Sequence, residues 1–333
     1  HRAHAAALGP GRARVSRVAV LKGGRSLERQ VSLRSGARVQ DALERLGHEV
    51  APIDVGADLI ERLREADPDA AFVALHGEDG EDGTVQELLE ILGIPHTGSG
   101  VLACARCWDK VLAKHLMQEA GIPTPEFFAF SETAFEELGA AETLPAIEER
   151  LSFPIVVKPA GGGSALGIKF ARTATDVPAA LVAAFSYDRK VLLERHVHGR
   201  DLAVSILDAP DGPAALPVVE AIPREEDFYD FEARYEIGRT TFECPARLPA
   251  GAAGRAQELA LAVYRLFGCA GFARVDLMLE EGTGELFVLE ANAIPGLTET
   301  SLLPLAAEAG GMDFDDLVER ILELAAPAPA GRA

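Results

Sequence analysis

Two strand-like segments near the carboxyl end of the chain carry charged side chains among strongly apolar neighbours. They are GFARVDLMLE at 271–280 and ELFVLEANAIPGLTE at 285–299, joined by the turn-rich EGTGE. Because alternate side chains of a strand share a face, Arg274 lies beside Asp276, and Glu290 lies beside Asn292. Burying such charges unpaired would be costly. The pattern therefore predicts a hairpin that brings three oxygen-bearing side chains and one guanidinium together.

A cluster of this kind favours a hard divalent cation that is held jointly with substrate phosphates. Magnesium prefers oxygen ligands and usually takes only one or two carboxylates from a protein. We therefore predict that Asp276, Glu290 and Asn292 form a metal site in an enzyme that uses a nucleoside triphosphate. Any one of these side chains alone would instead indicate amphipathic strands with a solvated polar face.

Length, charge and cysteine content exclude several classes of protein. At 333 residues the chain exceeds one typical core, so two or three domains are expected. A net charge of -20 argues against nucleic acid as a main partner, since phosphate backbones demand a basic surface. No segment is long and apolar enough to span a bilayer. Scattered cysteines favour a reducing compartment, and the C-x-x-C of Cys104 and Cys107 predicts packed side chains more than a zinc site.

Strands and helices alternate along the first third of the chain. RVAVL, HEVAPIDV and AAFVAL have the composition of strands, and segments with helical spacing separate them. This alternation predicts a parallel, doubly wound sheet. GGRSLE does not match the G-x-G-x-x-G of NAD-binding turns, so NAD is discounted. Ligands of such sheets bind at the carboxyl ends of the strands, which makes Glu28 and His76 candidate substrate residues and leaves the acids of GEDGEDG as a solvated loop.

A glycine-rich turn is expected between two strands in FPIVVKPAGGGSALGIKFA, at 153–171. It matches neither a Walker P-loop nor a dinucleotide-binding turn, because it does not open a helix. A glycine hairpin can still lie over phosphates and donate backbone N–H groups to them. Lys158 would then reach a phosphate, and the segment from Glu194 to Val197 offers the backbone and apolar groups that an adenine edge needs. The long irregular segment at 223–238 is expected to be a lid.

Seven ordered motifs together resemble the D-alanine:D-alanine ligase family of the ATP-grasp superfamily, over residues 17 to 325. They are GGRSLERQVSL, ALHGEDGEDGTVQELLEILGIPHTGSG, WDK, VVKPAGGGSALGI, FYDFEARY, FARVDLMLE and LEANAIPGLTETSL. The resemblance implies an α/β fold, α+β in the ATP-grasp part, with three domains and an amino-terminal doubly wound parallel sheet. The expected divisions are a disordered extension at 1–16, a substrate domain at 17–108, a central ATP-grasp subdomain at 109–197, a catalytic domain at 198–326 and a tail at 327–333.

The resemblance also implies a reaction and a set of residues for it. The carboxylate of a first D-alanine attacks the γ-phosphate of ATP, and the amine of a second D-alanine then attacks the resulting acyl phosphate. Catalytic roles would fall to Glu28, Ser164, Tyr235, Arg274, Gly296 and Ser301. Substrate contacts would come from His76, Val31 and Leu302.

ATP and magnesium, two ions with manganese as a substitute, are the implied cofactors. Asp276, Glu290 and Asn292 would hold the metal. Nucleotide contacts would come from Lys110, Lys158, Gly163, Ala165, Glu194, Arg195, Val197, Asp201, Phe228 and Arg234. The implied partners are small molecules and a second copy of the chain in a homodimer, with no nucleic acid and no membrane, and the implied location is the cytoplasm, where peptidoglycan precursors are made.

Several positions depart from the family pattern. The lid usually carries lysine where this chain has Arg234, a planar cation that binds phosphate differently. Ala165 replaces a hydroxyl-bearing residue of the glycine turn, Asp201 stands for the ribose-binding glutamate, and Ala293 replaces threonine. Tyr235 favours an amine nucleophile over D-lactate, since ligases that accept D-lactate tend to carry a histidine-bearing lid. The alternatives are an ATP-grasp ligase with another second substrate, such as D-serine, and a non-catalytic ATP-binding module.

Overall fold

The computed structural model describes residues 16–223 and 240–325. The amino-terminal part is a parallel sheet of order β2-β1-β3. Its strands are β1 (Arg17–Lys22), β2 (Glu49–Asp54) and β3 (Ala70–Val73), and its helices are α1 (Arg29–Arg45), α2 (Leu59–Ala66), α3 (Thr84–Leu92) and α4 (Val101–Trp108). The core packing puts α1 on one face of the sheet and α2 and α3 on the other. The predicted doubly wound arrangement is therefore confirmed.

A second sheet, of order β4-β7-β5-β6, follows and is antiparallel throughout. Its strands are β4 (Phe127–Ser131), β5 (Ile155–Pro159), β6 (Lys169–Ala171) and β7 (Lys190–Arg195), and its helices are α5 (Lys110–Glu119), α6 (Glu132–Glu136), α7 (Leu144–Leu151) and α8 (Val177–Phe185), with 3-10 turns at Ala140–Thr143 and Ala174–Asp176. Ile155 and Val157 pack against α7 and α8. The alternate residues Val156 and Lys158 therefore face away from that core.

The third sheet is antiparallel, of order β11-β10-β8-β12-β13, and β9 pairs alongside β8. Its strands are β8 (Gly199–Ala209), β9 (Gly212–Ala215), β10 (Val219–Pro223), β11 (Thr240–Glu243), β12 (Phe272–Glu280) and β13 (Leu286–Asn292), and its helices are α9 (Ala252–Phe267), α10 (Leu302–Ala309) and α11 (Phe314–Glu323). Helix α9 packs on one face through Ala256, Ala260 and Val263. The opposite face of the third sheet borders a cleft that separates it from the second sheet.

No helix within these described ranges is both long enough and apolar enough to cross a membrane.

Candidate active site

The predicted hairpin forms, and its register brings the charged residues together. Strand β12 pairs with β13 so that Arg274 lies opposite Asn292 and Asp276 lies opposite Glu290. The Arg274 guanidinium donates two hydrogen bonds to Asp276, at 2.7 Å from Nε to Oδ1 and 2.8 Å from Nη2 to Oδ2. The Asn292 amide nitrogen lies 3.2 Å from Asp276 Oδ2. Each charge in this largely buried cluster thus has a partner, which offsets the cost of its burial.

A β-bulge in the same hairpin changes which side chains reach the cleft. The register shifts after Asp276, so that Leu277 pairs with Val288 and Leu289 becomes the extra residue. Leu289 and its neighbour Glu290 both line the cleft, which strict alternation along a strand would forbid. The bulge therefore sets an apolar side chain beside a carboxylate on one wall.

The cleft between the second and third sheets has an empty volume of about 970 Å³, its open mouth included. Five predicted nucleotide residues line it, namely Lys158, Ala165, Glu194, Val197 and Asp201. Eight apolar residues that were not predicted as site residues also line the cleft, namely Val156, Ile168, Phe170, Leu202, Ala203, Ala221, Met278 and Leu289. An apolar slot with a few charged groups at one end is typical of a nucleotide site.

Two lysines hold Glu194 at the inner wall of this cleft. Lys158 Nζ lies 2.5 Å from Glu194 Oε1, and Lys114 Nζ lies 2.6 Å from Oε2. Burial opposes ionisation of Glu194, but the two ammonium groups outweigh it and lower the pKa of the carboxyl. Burial also lowers the pKa of Lys114 to about 8, against the opposing effect of Glu194. The Lys114 ammonium, the Glu194 carboxylate and the Lys158 ammonium therefore form a buried row of alternating charges, and Lys158 and Glu194 line the cleft.

The W-D-K motif begins helix α5 and places another lysine at the cleft. Asp109 caps the helix by accepting hydrogen bonds from the backbone N–H groups of Val111, at 2.9 Å, and Leu112, at 3.0 Å. Lys110 is the first helical residue, and its ammonium donates to the carbonyl oxygen of Gly162 in the glycine turn. The same nitrogen lies 3.6 Å from Glu290 Oε2. Lys110 thus joins the glycine turn to the carboxylates of the hairpin.

The glycine turn between β5 and β6 separates two cavities. Ala165 and Ile168 face the cleft between the sheets, whereas Gly161, Gly162 and Gly163 line a second cavity with Glu28. The Ser164 hydroxyl donates to Glu28 Oε1. A Cβ at position 163 would lie 3.1 Å from Glu28 Oε2, so a larger residue there would require the Glu28 side chain to shift by a few tenths of an ångström.

His76 lies where the sequence predicted, at the carboxyl side of β3, and it is buried. Its Nδ1 is 3.3 Å from Glu81 Oε1, and its Nε2 is 2.9 Å from the Ser35 hydroxyl. The prediction of a solvated loop for all the acids of GEDGEDG is wrong for Glu81, whose side chain is only 13% exposed. The loop folds back over the sheet, so that the histidine gains a buried carboxylate partner.

The loop that follows β13 carries Gly296, Ser301 and Leu302. The Ser301 hydroxyl accepts a hydrogen bond from the Thr298 backbone N–H at 3.0 Å. A Cβ on Gly296 would lie 2.6 Å from Ser301 Oγ. Leu302 lines the cleft between the sheets, and Asp276 and Glu290 line the same cleft.

The remaining predicted residues fall outside these cavities or outside the described residues. Val31 is buried on α1. The Arg195 side chain donates to Glu280, at 2.8 Å from Nη1 to Oε1. Tyr235, Arg234 and Phe228 lie outside the described residues.

Three residues of the site were not predicted from the sequence. Lys114, Ser35 and Glu81 each contact a predicted residue, namely Glu194 or His76. The spacing of Lys114 one helical turn after Lys110 was an available signal, since both then lie on one face of α5. Ser35 gave no such signal, because a serine in a helix is most often a packing residue.

The four cysteines are unpaired, and the C-x-x-C is packed as expected. Cys104 and Cys107 are buried in α4, and Cys107 Sγ lies 3.7 Å from Cys269 Sγ. Burial raises the pKa of Cys104. In the part of the chain that the structure describes, no group of three or more His, Cys, Asp or Glu side chains is arranged to hold a metal by itself. A zinc site at the C-x-x-C is therefore not supported.

Comparisons with known proteins match the chain over nearly its full length. A family described as D-ala D-ala ligase C-terminus matches residues 116–323, and one described as D-ala D-ala ligase N-terminus matches residues 59–99. The chain is 44% identical over 312 residues to the D-alanine--D-alanine ligase of Desulforudis audaxviator, covering 93% of this chain and 99% of that protein. It is 45% identical over 306 residues to the protein of the same name from Syntrophotalea carbinolica, covering 92% and 95%.

Solved structures agree with these matches. The D-alanine--D-Alanine Ligase of Bacillus anthracis superposes with a TM-score of 0.80 at 35% identity, covering 93% of this chain and 97% of that chain. The VanG D-Ala:D-Ser Ligase of Enterococcus faecalis superposes with a TM-score of 0.78 at 27% identity, covering 94% and 100%. The predicted ATP-grasp fold is confirmed by these neighbours. With a family match over more than half its length and relatives above 40% identity, the chain belongs to the D-alanine:D-alanine ligase family.

Proposed function

We propose that the protein joins two molecules of D-alanine into D-alanyl-D-alanine for peptidoglycan precursor synthesis, converting ATP to ADP and phosphate. The observation that carries this proposal is the meeting of two cavities at the glycine turn. One is the lysine-containing cleft between the sheets, and the other contains Glu28. A third, small cavity that joins Lys110, Gly162 and Glu290 lies at the carboxylates of the hairpin. Such a layout suits phosphoryl transfer from a nucleotide to an amino acid carboxylate.

ATP would occupy the cleft between the two antiparallel sheets. The apolar walls suit adenine, and the segment from Glu194 to Val197 supplies polar groups at its edge. Asp201 would contact the ribose. Lys158 and Lys110 would neutralise phosphate charge, since both ammonium groups are already held in the buried wall of the site. Gly163, Ala165, Arg195, Phe228 and Arg234 complete the proposed nucleotide set.

Magnesium would bind at Asp276, Glu290 and Asn292. Two carboxylates and one amide on paired strands match the oxygen donors that magnesium accepts alongside phosphate oxygens. When bound, the ion supplies positive charge that offsets the charge of the transferring phosphoryl group. The protein's own part is to hold these donors in register and to orient the Asp276 carboxylate through two hydrogen bonds from Arg274.

The first D-alanine would bind in the cavity lined by Glu28. The Glu28 carboxylate would hold its ammonium group, and His76 would lie near its carboxylate. That carboxylate attacks the γ-phosphate of ATP, which forms an acyl phosphate and releases ADP. The Ser164 hydroxyl bonded to Glu28 would fix the glycine turn over the reacting groups, with Tyr235 completing the set.

The second D-alanine would attack the carbonyl carbon of the acyl phosphate through its amine. The tetrahedral intermediate carries an oxyanion, which Arg274 and the backbone N–H of Gly296 would stabilise. Collapse of the intermediate expels phosphate and leaves the peptide bond. Ser301 and Leu302 would border the second amino acid, and Val31, buried on α1 outside the cavity lining, would support the first site by packing.

Phosphate release with ATP and magnesium tests the proposal. D-alanine, L-alanine, D-serine, D-lactate and no amino acid are compared, and the mass of each product is measured. Release that requires D-alanine and yields D-alanyl-D-alanine is expected. Binding of ATP without release in the presence of any D-amino acid would overturn the proposal and favour a non-catalytic ATP-binding module.

D-serine is the second candidate for the acceptor position. The similarity to the VanG D-Ala:D-Ser Ligase over 94% of this chain favours including it. The assay separates the two, because the mixed dipeptide is heavier than D-alanyl-D-alanine by one oxygen atom. We expect D-alanine to be preferred when both are present at equal concentration.

A homodimer is the oligomeric state that we propose. Ile91 on α3 and Leu102 on α4 are 72% and 62% exposed, which leaves apolar surface on neighbouring helices of the amino-terminal part. Sedimentation equilibrium tests this, and a monomer at micromolar concentration would contradict it. We also retain as a proposal the division into domains at 17–108, 109–197 and 198–326.

A further inference from the structure

The Ser35 hydroxyl lies between two groups that belong to different substrate subsites. Ser35 is fully buried on α1. Its Oγ is 2.9 Å from His76 Nε2 and 3.1 Å from the backbone nitrogen of Leu297, the residue after Gly296. We propose that Ser35 is a positioning residue that couples the histidine of the first amino acid site to the loop that carries the oxyanion donor. This inference rests on the proposed function.

The direction of each hydrogen bond follows from the chemistry of the groups. A backbone N–H can only donate, so Ser35 Oγ accepts from Leu297. The Ser35 oxygen has a second lone pair, so the direction of its bond with His76 Nε2 depends on the histidine tautomer. A carboxylate can only accept, and Glu81 Oε1 lies 3.3 Å from Nδ1, so we assign the ring proton to Nδ1 and leave Nε2 to accept from the Ser35 hydroxyl. Glu81 thus sets the tautomer of the imidazole, and Ser35 sets its orientation.

A second residue of α1 holds the same loop. Arg38 lies one helical turn after Ser35, and its Nη1 donates to the carbonyl oxygen of Leu297 at 2.8 Å. The Arg38 guanidinium also stacks over the Phe314 ring, at 3.9 Å from the ring centroid, and this contact limits its movement. Helix α1 thus fixes both backbone polar atoms of the residue that directly follows Gly296.

Loss of the Ser35 hydroxyl should disturb the amino acid side of the site alone. It would leave the Leu297 N–H buried without a partner and remove the hydrogen bond that orients His76. The nucleotide cleft is lined mainly by residues of the second and third sheets and of the glycine turn, and Ser35 is not among them. The expected signature is a fall in kcat and a rise in KM for D-alanine, while KM for ATP stays unchanged.

The chain offers a matched control on the same helix. Ser32 is also fully buried, and it also makes two hydrogen bonds through its hydroxyl. It accepts from the Gly23 backbone nitrogen at 2.8 Å and donates to the Ala74 carbonyl oxygen at 2.7 Å. Ser32→Ala should therefore lower the melting temperature about as much as Ser35→Ala without reaching either amino acid subsite.

Steady-state kinetics of Ser35→Ala, Ser32→Ala and the unsubstituted protein test the proposal. We expect kcat for Ser35→Ala to fall about tenfold, since one hydrogen bond to a reacting-site group is lost, and kcat for Ser32→Ala to change less than twofold. Equal loss of kcat in the two variants would overturn the coupling role. A parallel rise in KM for ATP would overturn it as well.

Two further measurements keep the proposal testable if Ser35→Ala folds poorly. Arg38→Met removes the other contact with Leu297 and should lower kcat while KM for ATP stays unchanged; unchanged kcat would contradict the role of α1. Nitrogen-15 NMR of His76 should show the proton on Nδ1 in the unsubstituted protein, and a proton on Nε2 would overturn the assignment. If the unsubstituted protein makes no dipeptide, the proposed function fails, whereas the NMR result still decides the hydrogen-bond assignment.

Discussion

The charge of Glu290 is expected to contribute strongly to turnover. It lies opposite Asp276 in the hairpin and 3.6 Å from the Lys110 ammonium. We expect Glu290→Gln to lower turnover at least a hundredfold, because the neutral amide weakens the hold on metal and phosphate, while the far-ultraviolet circular dichroism stays unchanged. Glu285→Gln, an exposed change at the other end of the hairpin, is the control. Near-normal turnover of Glu290→Gln would contradict the metal assignment.

Substitution of Lys114 is expected to change the free energy of unfolding. Removing one partner of a buried ion pair leaves the other charge uncompensated. Lys114→Met should lower the free energy of unfolding by about 3 kcal/mol, measured by urea titration. The double variant Lys114→Met with Glu194→Gln should regain part of that loss, because it also removes the stranded carboxylate. A double variant no more stable than the single one would contradict this account.

His96 gives a prediction about pH. Burial lowers the pKa of His96 below its usual 6.5, so the unfolded chain binds a proton more readily than the folded chain. The contribution to stability is complete above pH 6.5 and is lost as the pH falls from 6.5 through the lower folded pKa. Urea titrations from pH 7.5 to 5 should therefore show falling stability, with a smaller slope in His96→Gln. Burial lowers the pKa of His196 too, so part of the slope should remain; an unchanged slope would contradict the role of His96.

At this scale, the period of two along a strand was enough to predict that Arg274, Asp276, Glu290 and Asn292 converge. Contacts between distant segments were harder to predict. Glu194 is held by Lys114, which reaches it because α5 packs beside the second sheet. The spacing of Lys110 and Lys114 places both on one face of α5, but it does not identify Glu194 as the partner.

Among the elements, the bulge at Leu289 has the clearest consequence for binding. It turns an apolar side chain into the cleft beside Glu290. Leu289→Ala should raise KM for ATP about tenfold, since burial of a leucine side chain against a ligand is worth about 1.5–3 kcal/mol, and should leave KM for D-alanine unchanged. Leu286→Ala on the same strand is the control, because Leu286 is buried outside the cleft. An equal rise in KM for ATP in the two variants would contradict a direct contact between Leu289 and the nucleotide.

Most strands and helices followed from hydrophobic periodicity and from glycine and proline positions. The bulge did not, because one extra residue in a seven-residue strand leaves the local composition unchanged. The turn between β5 and β6 was predicted as a connection between strands. Its contact with Glu28 was not derivable from the turn itself, since Glu28 precedes Ser164 by 136 residues.

For the whole molecule, nucleotide binding should stabilise two sheets together. A nonhydrolysable ATP analogue with magnesium, at a hundred times its dissociation constant, adds about 2.7 kcal/mol to the folded state. This corresponds to a rise in melting temperature of about 4 °C for a chain of 333 residues. Differential scanning calorimetry measures the rise.

Lysine variants separate specific binding from a general charge effect. Lys158→Met should abolish most of the rise, because it removes the ammonium proposed to contact phosphate. Lys169→Met, which removes an exposed lysine on β6, should leave it intact. An equal rise in melting temperature in both variants would contradict a phosphate role for Lys158.

The overall arrangement depended on the family resemblance. Periodicity indicated strands on both sides of His196, but nothing local assigned β7 and β8 to different sheets that face each other across a cleft. The resemblance supplied that arrangement because seven motifs occur in one order. The residues that hold the parts together, such as Ser35 and Arg38, became visible only in three dimensions.

The glycine turn, with a different cavity on each side, has a consequence for inhibitors. A compound that occupied both cavities at once would have to pass this turn, where the Ser164 hydroxyl donates to Glu28. Resistance through substitution in this turn would be constrained, because any side chain added at Gly163 would meet Glu28 on one side, while Ala165 borders the other cavity. A compound anchored to the backbone of this turn would therefore contact a segment in which Gly163 has little room for a larger side chain.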